Sequence, residues 1–345
     1  MRVLLIKTSS LGDVIHTLPA LTDAALAIPG IRFDWVVEES FAEIPSWHPA
    51  VERVIPVAIR RWRKKLLSLR SDSTYRQFSE ALATTAYDAV IDAQGLIKSA
   101  WICSKAHGPA HGLARGSARE GLATLFYRHK HPVARGQHAV ERVRQLFAAA
   151  LAFPVPETVA DYGLDGARLF RAVRDPRRLM FLHGTTWTTK HWPEAYWLEL
   201  ARIAANAGYS VRLPWGNAEE KARAERIAAV APGAVTVLPR LNLRGVAEEL
   251  SACAGAVAVD TGLGHLAAAL AVPTVSLYGP TNPELTRAYG RNQAHLAAQF
   301  PCAPCLQKTC TYAGDSEVQP ACFSRLPPEP VFAALTRLLA TGRIL

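Results

Sequence analysis

Short apolar runs alternate along the chain with longer segments in which apolar residues recur every three to four positions. The runs predict strands and the longer segments predict helices. In the first half the predicted strands are Val3–Ile6, Phe33–Val37, Val51–Val57 and Ala89–Asp92, and the predicted helices lie around Val14–Ile28, Thr74–Thr85, Ser99–Ala106 and His138–Leu151. This alternation predicts an α/β fold with a doubly wound, mostly parallel sheet.

The second half repeats the pattern. Its predicted strands are Leu179–Leu182, Ser210–Leu213, Val235–Leu238, Ala256–Val259 and Thr274–Leu277. Two Rossmann-like halves place a ligand cleft where the carboxyl ends of their strands point. We therefore predict an N-terminal domain (1–155), a linker rich in Pro, Gly and charge (156–178), a C-terminal domain (179–325), and a terminal segment (326–345) whose helix packs back across the domains.

Composition and charge narrow the class of protein. Half of the 345 residues are apolar, which allows large buried cores and excludes a disordered chain. The formal net charge is +10; residues 1–155 carry 20 Lys and Arg against 13 Asp and Glu, whereas residues 156–345 carry 19 against 16. We therefore expect the first half to meet the more anionic partner, whether nucleic acid, a phospholipid surface or an acidic substrate.

Neither a secretory signal nor a membrane span is predicted. The chain runs from Met1 directly into a short strand-like segment, without a signal-type apolar region and cleavage site. The most apolar region, 253–279, is interrupted by Asp260, Gly262, Gly264, His265 and Pro273. We expect a soluble, cytoplasmic protein.

The stretch "KTSSLGDVIHTLPA", residues 7–20, places one carboxylate where a strand turns into a helix. Asp13 there has two interpretations. It satisfies backbone N–H groups and the helix dipole at the helix start, or it acts as a general base, a role worth about 10²–10⁴ in rate. Ser9 and Ser10 already offer hydroxyl caps, and the carboxyl end of a strand faces the ligand crevice. These two features favour the base.

Two further stretches suit a phosphorylated ligand. In "FLHGTTWTTKHWPEAYW", residues 181–197, Thr185, Thr186 and Lys190 form a donor-rich loop that suits a diphosphate, although an ordinary polar turn has the same composition. In "VAVDTGLGHLAAAL", residues 257–270, Asp260 ends a buried strand and Thr261 opens a helix whose N-terminus suits a phosphate. The chain contains no Asp-x-Asp, so we expect cations and backbone donors, rather than a bridging metal, to carry the phosphate charge.

Two clusters stay open at this point. The run "RRWRKK", residues 60–65, is either a solvated charged face, a membrane-docking patch with Trp62 as interfacial anchor, or a clamp for phosphates and carboxylates. Four cysteines spaced C-x2-C-x4-C-x11-C suit structural zinc, free thiols or an occasional disulfide: Cys302, Cys305, Cys310 and Cys322. Cys103 and Cys253 lie in apolar segments and are predicted core residues.

Together the motifs resemble a known family. "KTSSLGDVIHTLPALTDA", "FDWVVEE", "ERVIPVAIRRWRK", "YDAVIDAQGLIKSA", "TKHWPE", "LPWG" and "VDTGLGHLAAAL" resemble, in order, the lipopolysaccharide heptosyltransferases of glycosyltransferase family 9. The resemblance runs from Met1 to about Gly290, and "FDWVVEE" and "RRWRK" resemble the subgroup that adds the first heptose (heptosyltransferase I). It implies the GT-B fold, two Rossmann-like domains facing a central cleft.

The resemblance also implies an activity. It is the inverting transfer of L-glycero-D-manno-heptose from ADP-heptose to Kdo of Kdo2-lipid A in lipopolysaccharide inner-core synthesis, by a direct displacement at the anomeric carbon. Asp13 matches the general base. No cofactor and no essential divalent metal are implied, and the enzyme is expected to associate peripherally with the cytoplasmic face of the inner membrane.

Site residues are carried over by position. The donor-binding residues implied are Thr185, Thr186, Lys190, Glu220 (on the ribose), Asp260 (on sugar hydroxyls), Thr261, Gly262 and His265. The acceptor-binding residues implied are Ser10, Gly12, Arg60, Arg61, Arg63, Lys64, Lys98, Arg119 and His138. Gly184, Trp187 and the cysteine-bearing tail depart from the enteric enzymes, which leaves room for a different acceptor or a lid-like element.

Three alternatives remain. A later heptosyltransferase would act on a heptose acceptor. A non-enzymatic polyanion-binding protein would use the basic run, although neither a helix-turn-helix nor an aromatic-interleaved RNA motif occurs, so nucleic acid is not an expected partner. A dehydrogenase is disfavoured because no G-x-G-x-x-G follows the first strand.

Overall fold

The computed structural model describes residues 1–62 and 72–341. Arg63 and Lys64, predicted to bind the acceptor, lie outside the described residues. The chain divides into two compact units at Leu164/Asp165, within the predicted linker. That linker range also holds a short helix and the first residues of a strand. The predicted boundaries at 155 and 178 stay predictions.

The first unit is one six-stranded sheet with helices on both faces. Its strands are β1 (Arg2–Ile6), β2 (Arg32–Glu38), β3 (Val51–Val57), β4 (Ala89–Asp92), β5 (Ala110–Leu113) and β6 (His129–His131). Its helices are α1 (Leu11–Ile15), α2 (Leu18–Ala27), α3 (Glu43–Ser46), α4 (Ile59–Trp62), α5 (Ser73–Ala83), α6 (Ile97–Cys103) and α7 (Ala139–Leu151), with 3₁₀ turns at Glu39–Phe41 and Gly121–Phe126.

The second unit has the same plan. Its strands are β7 (Asp175–Leu182), β8 (Ser210–Leu213), β9 (Val235–Val237), β10 (Cys253–Val259), β11 (Thr274–Tyr278) and β12 (Gln293–Ala297). Its helices are α8 (Gly166–Phe170), α9 (Glu194–Asn206), α10 (Ala218–Ala228), α11 (Leu243–Ser251), α12 (Gly262–Ala269), α13 (Pro283–Thr286) and α14 (Pro328–Thr341), with 3₁₀ turns at Thr188–Lys190 and Ala321–Arg325.

Both sheets have the doubly wound strand order. The first runs β3-β2-β1-β4-β5-β6 and the second β12-β11-β10-β7-β8-β9, with parallel pairing throughout the described strands. The chain therefore reverses its direction of winding between β1 and β4 in one sheet and between β7 and β10 in the other. Ligands of such sheets bind at this topological switch point, outside the carboxyl ends of the strands.

The central strands explain why the parallel sheets form. The side chains of Val3–Ile6 in β1 are fully buried, and every residue of β10 is buried. Strands covered on both faces are near-continuous apolar runs, and that is the pattern of parallel sheets between layers of helices. The predicted doubly wound α/β fold is confirmed.

The terminal helix α14 packs on the sheet of the second unit, against β10, β11, β12 and the neighbouring α9. A Cβ on Gly255 would lie 2.9 Å from Leu339 Cδ2 and 3.1 Å from Leu335 Cδ1, so this glycine lets the helix approach the strand. Whether the terminal segment also packs across the domains stays a prediction. Within the described residues, none of the helices is both long and apolar enough to span a membrane.

Candidate active site

Asp13 lies on the first turn of α1, directly after the switch-point strand β1. Its Oδ2 accepts hydrogen bonds from the Ser10 backbone N–H (2.8 Å) and the Ser10 hydroxyl (2.9 Å). The Lys7 Nζ lies 3.8 Å from Oδ1, and the Asp13 side chain is 37% exposed. The carboxylate thus caps the helix with one oxygen while its other oxygen is placed toward a cation and solvent. The capping interpretation and the base interpretation are compatible.

The charge state of Asp13 follows from its neighbours. Burial acts to raise the pKa of Asp13, but the Lys7 ammonium, the two Ser10 hydrogen bonds and the Arg119 guanidinium more than offset this and hold the pKa below its ordinary value. Asp13 is therefore ionised at neutral pH. A carboxylate that is to accept a proton must start in this state.

A buried network joins the ends of β1 and β4 beneath Asp13. Lys7 Nζ donates to the carbonyl oxygen of Ala93 (3.0 Å), and Gln94 Oε1 accepts from the N–H groups of Thr8 (3.1 Å) and Ser9 (3.3 Å). Lys7 is 7% and Gln94 8% exposed. The structure thus adds two positioning residues that sequence reasoning missed, although "DAQGL" after a predicted strand is a signal for one of them.

Of the predicted acceptor-binding residues, Ser10, Gly12 and Arg119 lie around Asp13. His138 is 9% exposed and begins α7, where its Nδ1 accepts the Val140 N–H (3.2 Å). It stacks edge-on with His16 at the end of α1, with ring centroids 5.4 Å apart, which places it beside the same switch point.

The described part of the basic run lies on α4. Arg60 is exposed, and its backbone N–H donates to Glu38 Oε1 (3.2 Å). Arg61 instead forms a surface ion pair with Glu39 (3.0 Å). Trp62 is only 7% exposed and packs on aromatic rings of α5, so the prediction that it anchors the protein in a membrane interface is wrong. In the short, charge-rich helix α4, the apolar residue Trp62 therefore faces the core.

In the second unit, Asp260 at the end of β10 organises the predicted donor loops. Its Oδ2 lies 2.7 Å from Lys190 Nζ and accepts a 2.7 Å hydrogen bond from the Thr281 hydroxyl. The Thr185 hydroxyl donates to the Asp260 carbonyl oxygen (3.0 Å). These contacts gather the loops after β7, β10 and β11. Sequence reasoning missed Thr281, which follows a predicted strand in "YGPTNPE".

The start of α12 supplies backbone donors beside Asp260. Thr261 is the extended N-cap residue, and Gly262 opens the helix. The first N–H groups of a helix have no acceptor within the helix and favour an anion. A Cβ on Gly264 would lie 3.2 Å from Ala258 Cβ, so the glycine lets the helix start sit close to its strand. His265 is buried in the same turn.

Glu220 lies at the start of α10, after β8, where its Oε2 accepts the Gly216 N–H (2.7 Å). Its carboxyl group sits against the donor loop: a Cβ on Gly184 would lie 2.8 Å from both Glu220 Cδ and Oε1. The absence of a side chain at 184 therefore leaves the space that this carboxylate occupies. Glu220 is brought to the same edge of the sheet as the predicted diphosphate loop.

The cysteine-bearing segment is fixed to the donor loop. The Thr189 hydroxyl donates to the Gln307 carbonyl oxygen (2.6 Å). Two ammonium groups lie over the Trp187 ring, Lys190 at 4.6 Å and Lys308 at 5.6 Å from its centroid. The segment thus adds a second cation, missed in the sequence, beside the predicted diphosphate loop.

The cysteines are free thiols in this structure, with Cys302 exposed and Cys322 buried. Within residues 1–62 and 72–341, there is no group of three or more His, Cys, Asp or Glu side chains arranged to hold a metal ion.

Comparison with known proteins gives consistent matches. Residues 75–314 match the profile of "Glycosyltransferase family 9 (heptosyltransferase)". Lipopolysaccharide heptosyltransferase 1 of Pseudomonas aeruginosa is 62% identical over 349 residues, covering 98% of each chain. The structure of the Escherichia coli heptosyltransferase WaaC with ADP matches with a TM-score of 0.87 at 48% identity, over 98% of this chain and 100% of that one. The same enzyme with ADP-2-deoxy-2-fluoro heptose matches with a TM-score of 0.79 at 53% identity, over 86% and 93%.

Proposed function

Since the chain belongs to glycosyltransferase family 9, the heptosyltransferases, we propose that it moves L-glycero-D-manno-heptose from ADP-heptose to Kdo of Kdo2-lipid A, with Asp13 as general base. The observation that carries the proposal is a pair of matched sites. An ionised carboxylate lies at the switch point of one sheet, and a loop that carries Lys190 lies at the switch point of the other.

The class of enzyme and the fold follow from the comparisons alone. The chain is a glycosyltransferase of lipopolysaccharide synthesis with the two-domain GT-B fold, as its likeness to WaaC shows. The alternatives of a non-enzymatic polyanion-binding protein and of a dehydrogenase are therefore wrong. Our proposal concerns the donor sugar, the acceptor, the stereochemical course and the role of each residue.

The proposed donor site uses the residues gathered around Asp260. Lys190, Thr185 and Thr186 bind the diphosphate, and the N-terminus of α12 at Thr261 adds backbone donors. Lys190 is paired with Asp260 in the ligand-free protein, so donor binding exchanges part of that ion pair for a phosphate contact. Asp260 and His265 then face the heptose, and Glu220 binds the ribose.

The proposed reaction is a single displacement. Asp13 takes the proton of the acceptor hydroxyl as its oxygen attacks the anomeric carbon, and the bond from that carbon to the diphosphate oxygen breaks. The electron pair leaves with ADP, and the configuration inverts. Charge grows on the departing phosphate, so Lys190 and the helix start stabilise the transition state more than the ground state.

The proposed acceptor site explains the charge of the first unit. Kdo carries a carboxylate and lipid A carries phosphates. We propose that these anionic groups bind Arg60, Lys98 and Arg119. Arg61, which pairs with Glu39 in the ligand-free protein, takes a secondary part in this binding. The excess of cations in residues 1–155 supports our proposal that the enzyme works at the cytoplasmic surface of the inner membrane, where anionic lipids attract basic residues.

The test is turnover with defined donors and acceptors. We would measure ADP release with ADP-heptose, ADP-mannose and UDP-glucose, each with Kdo2-lipid A and with an acceptor that already carries the first heptose. We expect release with ADP-heptose and the heptose-free acceptor. Turnover only on the acceptor that carries heptose would assign a later heptosyltransferase, and turnover with another donor would overturn the proposed donor.

A further inference from the structure

Two side chains hold the Asp260 carboxylate, and both approach the same oxygen. Lys190 Nζ lies 2.7 Å from Asp260 Oδ2, and the Thr281 hydroxyl donates to this oxygen at 2.7 Å. In the part of the chain that the structure describes, these two contacts leave Oδ1 as the oxygen that can accept a hydrogen bond from a ligand hydroxyl. The carboxylate therefore has one oxygen held by the protein and one available to a ligand.

The group is largely shielded from water. Asp260 is 8% and Thr281 9% exposed, and the Lys190 side chain is 16% exposed. A buried hydrogen bond to a charged group contributes more than a neutral one, and a partner that is removed from such a place is poorly replaced by solvent. The Thr281 hydroxyl is therefore a contact that the carboxylate depends on.

The loop that carries Thr281 is itself fixed on both sides of the chain. It follows β11, and the Leu306 N–H donates to the carbonyl oxygen of Pro280 (2.8 Å). A Cβ on Gly279 would lie 2.7 Å from Phe323 Cζ, so this glycine lets the loop pack closely on the 3₁₀ turn at Ala321–Arg325. The backbone of Thr281 is thus held in place independently of Asp260.

The contact has its largest effect when a donor is bound. Donor binding is proposed to draw Lys190 from Asp260 towards the diphosphate, which leaves the Thr281 hydroxyl as the remaining hold on Oδ2. Without this hydroxyl, the carboxylate is free to rotate and keeps a stronger claim on the Lys190 ammonium. The hydroxyl therefore separates two tasks, the binding of phosphate by Lys190 and the binding of sugar by Asp260.

We propose that Thr281 is a positioning residue of the donor site, whose hydroxyl fixes Asp260 Oδ2 so that Oδ1 binds a hydroxyl of the donor sugar while Lys190 turns to the diphosphate. This inference rests on the proposed function, since it describes how the same donor is bound. Thr281 acts through Asp260 and does not itself contact the donor. It therefore serves recognition of the sugar more than recognition of the nucleotide.

The test compares binding of ADP-heptose, without acceptor, with binding of ADP by calorimetric titration. Thr281→Val removes the hydroxyl and keeps the shape of the side chain, Thr281→Ser keeps the hydroxyl, and Thr281→Ala is a second variant without it. Thr274→Val is the matched control, because Thr274 is fully buried at the other end of β11 and donates its hydroxyl to the Val272 carbonyl oxygen (2.8 Å). The readout is the ratio of the two dissociation constants.

We expect Thr281→Val and Thr281→Ala to weaken ADP-heptose by about tenfold, as the loss of a hydrogen bond to a charged group predicts, and to weaken ADP by less than about threefold. Thr281→Ser should bind both ligands as wild type does, and Thr274→Val should leave the ratio unchanged. Equal losses for both ligands, no rescue by serine, or the same change of ratio in the control would overturn the inference.

A double-mutant cycle separates an effect through Asp260 from a general disturbance of the loop. In an Asp260→Ala background, Thr281→Val should weaken ADP-heptose by less than about twofold, because the carboxylate that it positions is gone. A further tenfold loss there would overturn the inference. Failure of the wild-type protein to bind ADP-heptose would overturn the proposed function and the inference together, whereas binding that Thr281→Val leaves intact would overturn the inference alone.

Discussion

Substitution of Gly184 by Ala tests whether Glu220 binds the ribose of the donor. The new Cβ would lie 2.8 Å from Glu220 Cδ and Oε1 and 3.2 Å from Oε2, closer than real Cβ contacts. Gly184 is not among the glycines with positive φ, so alanine fits its backbone and the conflict is only with the carboxyl group. Because that group ends a flexible side chain, we expect it to move and the fold to remain.

The expected loss can be worked out from what the carboxylate is proposed to do. A hydrogen bond to a charged group contributes about 1.5–3 kcal/mol, and 1.4 kcal/mol is about a factor of ten in affinity. Glu220 is half-buried, which favours the lower end of this range. Gly184→Ala should therefore weaken ADP binding about tenfold.

The assay is calorimetric titration with ADP and with 2′,3′-dideoxy-ADP, which lacks the hydroxyls that Glu220 is proposed to bind. We expect Gly184→Ala to weaken only ADP, and to have little further effect in a Glu220→Ala background. Gly136→Ala is the control, because its Cβ would meet nothing within 4 Å. Unchanged ADP affinity, or an equal loss for both nucleotides, would refute the ribose assignment.

Three further predictions concern stability and the donor site. Arg144 is 2% exposed and pairs with Asp23 at 2.6 Å and with Glu141 at 3.2 Å. Replacing Asp23 alone by Leu leaves Glu141 as the remaining carboxylate and should cost about 1.5–3 kcal/mol of unfolding free energy, whereas the double Leu variant should recover part of it; additive losses in urea unfolding would contradict this. Burial lowers the pKa of His48 from 6.5 to about 4, and its Nδ1 accepts the Ala50 N–H, so the unfolded chain takes up a proton first as pH falls. The contribution of His48 to stability should therefore be complete above pH 6.5 and should fall by roughly 3 kcal/mol towards pH 4. A pH dependence of unfolding that His48→Gln leaves unchanged would exclude this histidine. Lys308→Ala should weaken ADP about two- to fivefold and leave adenosine unchanged; equal effects on both would show that Lys308 does not meet the phosphates.

Much of the fold could be predicted because its central strands are unambiguous. β1, β2, β4 and β11 match the predicted strands to within a residue at each end, since buried parallel strands are near-continuous apolar runs. Strand β5 and the edge strands β6 and β12 were not predicted. They are short or polar, "HKH" in β6 for example, and they form only because a neighbouring strand offers its hydrogen bonds.

The predicted helix at Val14–Ile28 is two helices. α1 ends at Ile15 and α2 begins at Leu18, with Pro19 in its first turn, where a missing N–H costs no helical hydrogen bond. Periodicity alone did not show this break, because buried apolar residues continue from one helix into the next.

The candidate site likewise has residues that the sequence could place and residues that it could not. Asp260 stands directly after a predicted strand, and Asp13 opens the helix that follows another, so their placement at the two switch points could be anticipated. Thr281 and Lys308 could not be placed, since their roles depend on loops that meet only in three dimensions. Trp62 was misjudged for a similar reason: the aromatic partners that bury it lie on another helix.

The measurement that tests the central claim most directly is single-turnover heptose transfer by Asp13→Asn. Asparagine keeps an oxygen that can accept the Ser10 N–H, now 2.8 Å from Asp13 Oδ2, so the cap survives while the ability to take up a proton is lost. With saturating ADP-heptose and Kdo2-lipid A, we predict a fall in rate of about 10²–10⁴ with unchanged ADP affinity. Thermal stability should fall only slightly, since the variant loses the charge attraction of Lys7 and Arg119 and keeps the cap. A fall of less than tenfold would contradict the account, because the acceptor hydroxyl would then lose its proton to another group.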